Sequence, residues 1–225
     1  MKENNNLQLI LTEDKSYSIY NEVVGESYHS HKGAYTESML VFIKNGLLPI
    51  MNVFQNLKVF EMGFGTGLNA LLTQNTAPSK TIFYETVEAF PLEKRFIDLL
   101  SYTDLPDLRS SLHVFESLHL CDWNKEAAIT PYFTLLKHHC DFLDFEFNSN
   151  DFHLIYYDAF SLEAQQELWT EDVFVKLYQI LVEGGVLVTY SSKGQVKRAL
   201  RSAGFRVERL AGPPGKRHVL RATKD

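Results

Sequence analysis

Two cysteines, Cys121 and Cys140, are all that the 225 residues contain. That is too few for a disulfide framework, so both are expected to be reduced thiols. No stretch approaches the roughly 18 consecutive apolar residues that a membrane-spanning helix needs. The opening Met1-Lys2-Glu3-Asn4-Asn5-Asn6 has no basic segment leading into an apolar run, so no secretory leader is expected. These absences point to a soluble, cytoplasmic chain. Metal-ligand spacing is also missing. His138-His139-Cys140 stands alone without a second cluster, and no metal is expected. Repeats and low-complexity linkers are absent as well. The remainder is 45% apolar and 22% charged, a balance that suits one α/β domain with a small appendage.

Positive charge is in deficit, with a net charge of −6. The deficit is uneven. Ten Lys/Arg stand between Lys193 and Asp225 against Glu208 and Asp225, giving +8 there and −14 over residues 1–192. A basic end on an acidic body is either a phosphate-binding face or an ordinary solvated surface.

The chain opens with a pattern for a hairpin, Gln8–Thr12 and Ser16–Asn21 around Glu13-Asp14-Lys15. A helix is expected from Gly33 to Lys44, with Gly46 as its C-terminal cap. From Leu57 onward, strand-like and helix-like runs alternate. Strands are predicted at Leu57–Met62, Thr81–Val87, Phe133–His138, Phe152–Tyr157 and Val186–Tyr190. Helices are predicted at Leu68–Gln74, from Pro91 to Leu100, at Trp169–Leu181 closed by Gly184-Gly185, and at Gln195–Ala203. Ser101–Pro131 reads as part helix, part insertion. Phe205–Leu210 and His218–Ala222 flank Gly212-Pro213-Pro214-Gly215. The alternation implies a doubly wound parallel sheet. The last two strands have no helix between them and can pair only antiparallel. Residues 1–50 are expected to form a hairpin-and-helix appendage, and residues 51–225 the main domain.

The strongest motif is Glu61-Met62-Gly63-Phe64-Gly65-Thr66-Gly67-Leu68-Asn69, between a strand and a helix. Glycines there allow a tight turn and close approach of a ligand to the backbone. The spacing Gly63, Gly65, Gly67 is not the Gly-x-Gly-x-x-Gly of dinucleotide folds. Glu61 beside the turn would repel a pyrophosphate but suits the ammonium of a methionine moiety. Glu88, ending the next strand, is placed to accept hydrogen bonds from ribose hydroxyls, a role compatible with either nucleoside cofactor. Asp141, after the third strand, is a candidate contact for an adenine amino group. Asp158 ends the fourth strand, where open α/β sheets bind their ligands. Tyr157, Phe160 and Trp169 around it are candidates for the wall of a dry pocket. An antiparallel terminal hairpin on a parallel sheet is the layout of Rossmann-like class I methyltransferases, which use S-adenosylmethionine. An NAD-dependent oxidoreductase and a binding module without activity are the weaker alternatives.

The chain also resembles a known family. The resemblance is carried by Glu61–Asn69, Glu88-Ala89-Phe90-Pro91-Leu92, Tyr157-Asp158-Ala159-Phe160-Ser161, Leu168-Trp169-Thr170, Thr189-Tyr190-Ser191, Lys193–Leu200 and Gly215-Lys216-Arg217. Together these are similar to the MnmC methyltransferase family. The resemblance implies that 5-aminomethyl(-2-thio)uridine at the tRNA wobble position becomes 5-methylaminomethyl(-2-thio)uridine. It places Glu61 and Glu88 at the cofactor, where the motif and the fold already put Gly63, Gly65, Gly67, Asn69 and Asp141, and Asp158 at the transferring methyl. Lys193, Lys197, Arg198, Lys216 and Arg217 would meet phosphates of the anticodon arm. Tyr28-His29-Ser30 and Gly33-Ala34-x-x-Glu37 would cover the active site. These residues hold no flavin fingerprint, so the upstream oxidase step is expected of a separate flavin enzyme. A small-molecule or protein amine is the alternative acceptor. Ser161-Leu162-Glu163-Ala164 departs from the proline-containing turn expected there.

Overall fold

The computed structural model describes residues 6–225. Its centre is an eight-stranded sheet in the order β10-β11-β9-β8-β4-β5-β7-β6. The strands are β4 (Leu57–Met62), β5 (Ile82–Glu88), β6 (Glu126–Thr130), β7 (Phe133–His139), β8 (Phe152–Tyr157), β9 (Leu181–Thr189), β10 (Arg206–Ala211) and β11 (His218–Thr223). The five strands from β9 to β7 run parallel. β11 and β10 then add antiparallel at one edge, and β6 adds antiparallel at the other. This is the Rossmann-like class I methyltransferase sheet, with its antiparallel terminal hairpin.

Alternating strand residues feed two cores, one on each face of the sheet. Val59, Leu154 and Tyr156 face one core, and Phe60, Ile155 and Tyr157 face the other. The first core takes in the N-terminal helix, α2 (Leu68–Thr76) and α4 (Leu112–Leu120). The second takes in α5 (Glu171–Ile180) and α6 (Gly194–Ser202).

The N-terminal residues build a three-stranded antiparallel sheet, β1 (Leu7–Leu11), β2 (Tyr17–Asn21) and β3 (Glu26–Ser27), one strand more than the expected hairpin. The helix that follows, α1, spans residues 34–50. It begins as Ala34–Ser38, widens into π-helical turns over Met39–Leu47 and closes with Leu48–Ile50. Gly46 is therefore not a helix cap. A Cβ there would stand 2.9 Å from Val188 Cγ2 and 3.3 Å from Leu154 Cδ1. The glycine instead lets α1 lie directly on β8 and β9.

Three further expectations need correction. The helix expected from Pro91 to Leu100 is only the single turn α3 (Lys94–Ile97). Trp169 lies outside α5, in a 3-10 turn (Gln166–Trp169), and Thr170 caps the helix by accepting from the Val173 amide. Gly184-Gly185 does not end α5, because β9 starts at Leu181. The pair sits where the β8–β9 register shifts, with Gly184 at φ 74°. The 101–131 insertion holds α4 and the edge strand β6.

A larger residue at position 46 would overpack the α1–sheet seam. Such overpacking costs about 1–3 kcal/mol, and removing a helix glycine returns at most about 1 kcal/mol. Gly46→Leu is expected to lower the urea midpoint; an unchanged midpoint would show that the seam is loose.

Candidate active site

β5 and β7 lie on one side of β4, and β8 and β9 lie on the other. The chain therefore reverses direction across the sheet between β4 and β8, the position where open α/β sheets form a ligand crevice at the strands' carboxyl ends. Backbone bonds continue past the strand ends there: the Asp158 amide donates to Met62 O at 3.3 Å, joining β8 to β4, and the Gly63 amide donates to Val87 O at 3.1 Å, joining β4 to β5. Above them opens a cavity of about 630 Å³, within the usual size of a small-molecule site.

The glycine turn makes its floor. Gly63, Gly65 and Gly67 have φ of 85°, 51° and 71°, values that only glycine adopts cheaply. Glu88 braces the turn by accepting from the Gly65 amide at 2.9 Å and the Phe90 amide at 2.9 Å. The 101–131 insertion supports it from beneath. Tyr102 Oη donates to Thr66 Oγ1 at 3.0 Å, and His119 Nε2 lies 3.2 Å from Thr66 O. Burial lowers the His119 pKa to about 4, so its ring is neutral. The buried Lys137 donates to Leu118 O and His119 O at the end of α4 and rests against the Trp123 and Phe64 rings.

Three acids gather at the crevice. Asn69, in the first turn of α2, donates through one amide nitrogen to Glu61 Oε1 at 3.0 Å and to Asp158 Oδ2 at 2.9 Å. Glu61 is 1% exposed, and its Oε2 has no partner among the described residues. Burial, then the neighbouring Asp158 charge, pushes the Glu61 carboxyl well above its usual range, against the Asn69 amide and the adjacent Tyr84 hydroxyl. Burial and then Glu37 do the same to Asp158, opposed by Asn69 and Lys216. Burial also raises Glu88, opposed by the Phe90 and Gly65 amides. A carboxylate withdrawn from water without a cation is costly; with Glu61 buried and Glu88 and Asp158 half-buried at the cavity, these acids form a well for positive charge.

The N-terminal segment covers the well. Tyr28 packs edge-on against Phe160 at 5.1 Å and lies over Gly65. Glu26 accepts from the backbone and side chain of Ser161, holding the loop after β8 without the proline expected there. His29, Ser30 and Glu37 line the same cavity.

Of the residues singled out in the sequence, Gly63, Gly65, Asn69, Glu88, Asp141, Asp158, Phe160 and Lys216 line this cavity. Asp141 stands at its rim, accepting from the Leu143 amide at 2.9 Å. Glu61 and Gly67 lie just behind the wall. Tyr157 and Trp169 do not reach the cavity: both are buried in the second core. Trp169 Nε1 donates to Phe160 O at 2.8 Å, and Tyr157 Oη donates to Leu168 O. They hold the loop that carries Phe160. Lys193, Lys197, Arg198 and Arg217 are on the outer surface, and Lys193 is paired with Glu163. Sequence reasoning gave no site role to Tyr190 or Glu26, and none beyond cover to Glu37. Their roles depend on partners far along the chain, and no local pattern announces them.

The raised carboxyls make stability fall with pH. Their protonated forms are favoured in the folded state, so their contribution is complete below the ordinary carboxylate value near 4. It is lost as pH rises through the elevated folded values. Glu61→Gln removes one such charge and should raise the melting temperature at pH 8 by roughly 2–4 °C, the equivalent of about 1 kcal/mol in a chain this size. At pH 4 the gain should disappear. A lower melting temperature at pH 8 would refute the account.

Comparison with known proteins agrees with this geometry. Residues 131–225 match a family described as S-adenosyl-L-methionine-dependent methyltransferase. The tRNA 5-methylaminomethyl-2-thiouridine biosynthesis bifunctional protein MnmC of Burkholderia pseudomallei (strain K96243) is 29% identical over 94% of this chain and 34% of its own length. Its Burkholderia mallei (strain NCTC 10229) counterpart matches to the same extent. The chain thus spans about a third of the curated relatives it matches. The crystal structure of MNMC2 from Aquifex aeolicus superposes with a TM-score of 0.73 at 21% identity, covering 96% of this chain and 70% of that one. A spermidine synthase from Thermotoga maritima shares the fold at a TM-score of 0.58 and 15% identity, covering 96% and 68%. The site fits S-adenosylmethionine on its own chemistry. The glycine floor leaves the backbone open, and Glu88 and Asp158 face the cavity as carboxyls that suit ribose hydroxyls and a cation. The chain is a class I methyltransferase with S-adenosylmethionine as cofactor, and the MnmC proteins are its homologues.

Proposed function

We propose that this chain methylates the amine of 5-aminomethyluridine, or its 2-thio form, at the wobble position of tRNA. One observation carries the reading: the cavity that holds the cofactor turn also holds Asp158, with Glu37, Tyr28, Phe160 and Tyr190 around it. That is an acid-lined, aromatic-walled place for an amine. The relatives' name supplies the tRNA. A flavin oxidase outside these residues would supply the aminomethyl substrate.

S-adenosylmethionine supplies an electrophilic methyl on sulfur. The protein's task is to present the amine nitrogen to it with a free lone pair and to exclude water. An alkylamine resembles Lys, with a pKa of about 10.4, and enters mostly protonated. Asp158 Oδ atoms accept its N–H bonds, orient the nitrogen and take up the proton it releases. A carboxylate also stabilises the ammonium form. Burial and Glu37 raise the Asp158 pKa, which narrows that gap and makes it a better proton acceptor than an exposed acid. Tyr28 and Phe160 close over the turn and keep the site dry.

The tRNA backbone would meet α6 and β10. Lys193 and Lys216 are paired with Glu163 and Glu37, so they are poor phosphate ligands. Lys197 and Arg198 remain, with Arg217 in the turn before β11. Partial desolvation and repulsion from Arg209, Arg201 and Arg198 lower the Lys197 pKa. Arg201 and Arg209 thus belong to the same cationic cluster, which a polyanion would relieve.

Labelled methyl should pass from S-adenosylmethionine to tRNA carrying 5-aminomethyluridine, and not to unmodified or carboxymethylaminomethyl tRNA. No label on any tRNA, with cofactor binding intact, would transfer the role to a small-molecule or protein amine. Asp158→Asn should keep cofactor affinity within a few-fold and lose turnover by about 10²–10⁴-fold, the usual worth of a positioned acid-base group. Near-normal turnover would remove Asp158 from the chemistry. Arg201→Gln with Arg209→Gln should flatten the slope of log affinity for tRNA against log salt by about 1.4–1.8. An unchanged slope would place the RNA elsewhere.

A further inference from the structure

Lys216 belongs to the turn between β10 and β11, yet its side chain reaches back into the cavity. Its Nζ donates to Glu37 Oε1 at 2.6 Å and lies 4.0 Å from the centroid of the Tyr190 ring. Asp158 feels both charges, Glu37 as repulsion and Lys216 as attraction. An ammonium group on an alkyl stem thus rests between a carboxylate and an aromatic face, beside the acid that ends β8. This is the environment that a primary ammonium ligand would select.

The two members of the pair are not equally fixed. The Glu37 side chain is 7% exposed, and its Oε2 also accepts from the Ser30 amide at 2.7 Å. Tyr190 is anchored too, donating to Ala159 O at 2.9 Å. Lys216 is 31% exposed, on a flexible four-carbon stem that follows Gly215. A buried carboxylate requires a cation, while a partly hydrated lysine gives up an ion pair at little cost.

We propose that Lys216 is an internal occupant of the acceptor-amine subsite: its ammonium holds Glu37 and the Tyr190 face until the substrate's aminomethyl group displaces it. This rests on the reading of the acceptor as a primary amine. Glu37 is then a second carboxylate for the substrate, facing it together with Asp158. The tethered ammonium competes at an effective concentration in the millimolar range. Apparent affinity is reduced by the fraction of molecules in which the subsite is taken.

The test is calorimetric titration of the full chain, with S-adenosylhomocysteine present, by two phosphate-free probes: benzylamine and the nucleoside 5-aminomethyluridine. Lys216→Met should bind both at least about tenfold more tightly than the unaltered chain. Lys216→Arg, which keeps a cation, should show less than half of that gain. Adding Glu37→Gln to Lys216→Met should abolish it. Lys216→Met binding no more tightly, or Lys216→Arg gaining as much, would overturn the proposal. Methylation of aminomethyl tRNA measured on the same preparations separates the two readings. Methylated tRNA without the Lys216→Met gain removes this inference alone. The benzylamine gain without methylated tRNA removes the tRNA reading alone.

Discussion

Everything at the crevice depends on one amide. Asn69 holds Glu61 and Asp158 on the same nitrogen, keeping a buried acid and a half-buried, cavity-lining one close together. Such an arrangement is unfavourable on its own account. It persists because the surrounding structure fixes each part. β4 and β8 are hydrogen-bonded neighbours, so their terminal acids cannot separate. α2 begins immediately after the glycine turn, which sets Asn69 between them. The cost is stored as affinity for positive charge; the cofactor's sulfonium and ammonium, and the proposed alkylamine acceptor, would draw on it.

The parts of this arrangement that sequence reveals are local. Glycines at alternate positions after a strand, and acids at the ends of Leu57–Met62, Ile82–Glu88 and Phe152–Tyr157, follow from strand period and turn chemistry. They suffice for the fold and for the glycine turn at the crevice. What stayed hidden depends on distant partners. Gly46 reads as a cap because glycine so often is one; its actual role is set by Val188 and Leu154, far along the chain. Trp169 and Tyr157 read as pocket walls because they flank Asp158, yet strand alternation sends Tyr157 to the opposite core, where Trp169 joins it. The insertion gave no periodic signal, although Tyr102 and His119 are what hold Thr66 in place.

Charge counting left two readings of the basic surplus after Lys193, a phosphate-binding face or a solvated surface, and the ion pairs divide it. Several of its cations are already committed: Lys193 to Glu163, 30 residues away, Lys216 to Glu37, 179 residues away, and Arg206 and Arg221 to Asp225 and Glu208. A formal sum cannot separate a lysine that solvates phosphate from one that neutralises a buried acid. Among the described residues, Lys197, Arg198, Arg201, Arg209 and Arg217 have no ion-pair partner, and the first four are crowded together. Crowding is what makes a surface attract a polyanion, because each phosphate relieves repulsion as well as adding attraction.

The acid well and the basic surface also answer each other. A methyl acceptor that is itself a cation must approach a sulfonium, and like charges at short range repel strongly in a low dielectric. Carboxylates on the acceptor side screen that repulsion, but leaving them bare between turnovers would destabilise the apo site. An internal ammonium solves both problems with one group. Exchange of Lys216 for a substrate ammonium leaves the number of charges in the pocket constant, so neither Glu37 nor Asp158 is stranded at any stage. On that proposal a released lysine would emerge at the β10–β11 turn, next to Arg217 and on the same hairpin as Arg209, where an RNA backbone would meet it. Substrate entry would then convert a pocket cation into a surface one, joining amine recognition to the anchoring of the polyanion that carries it.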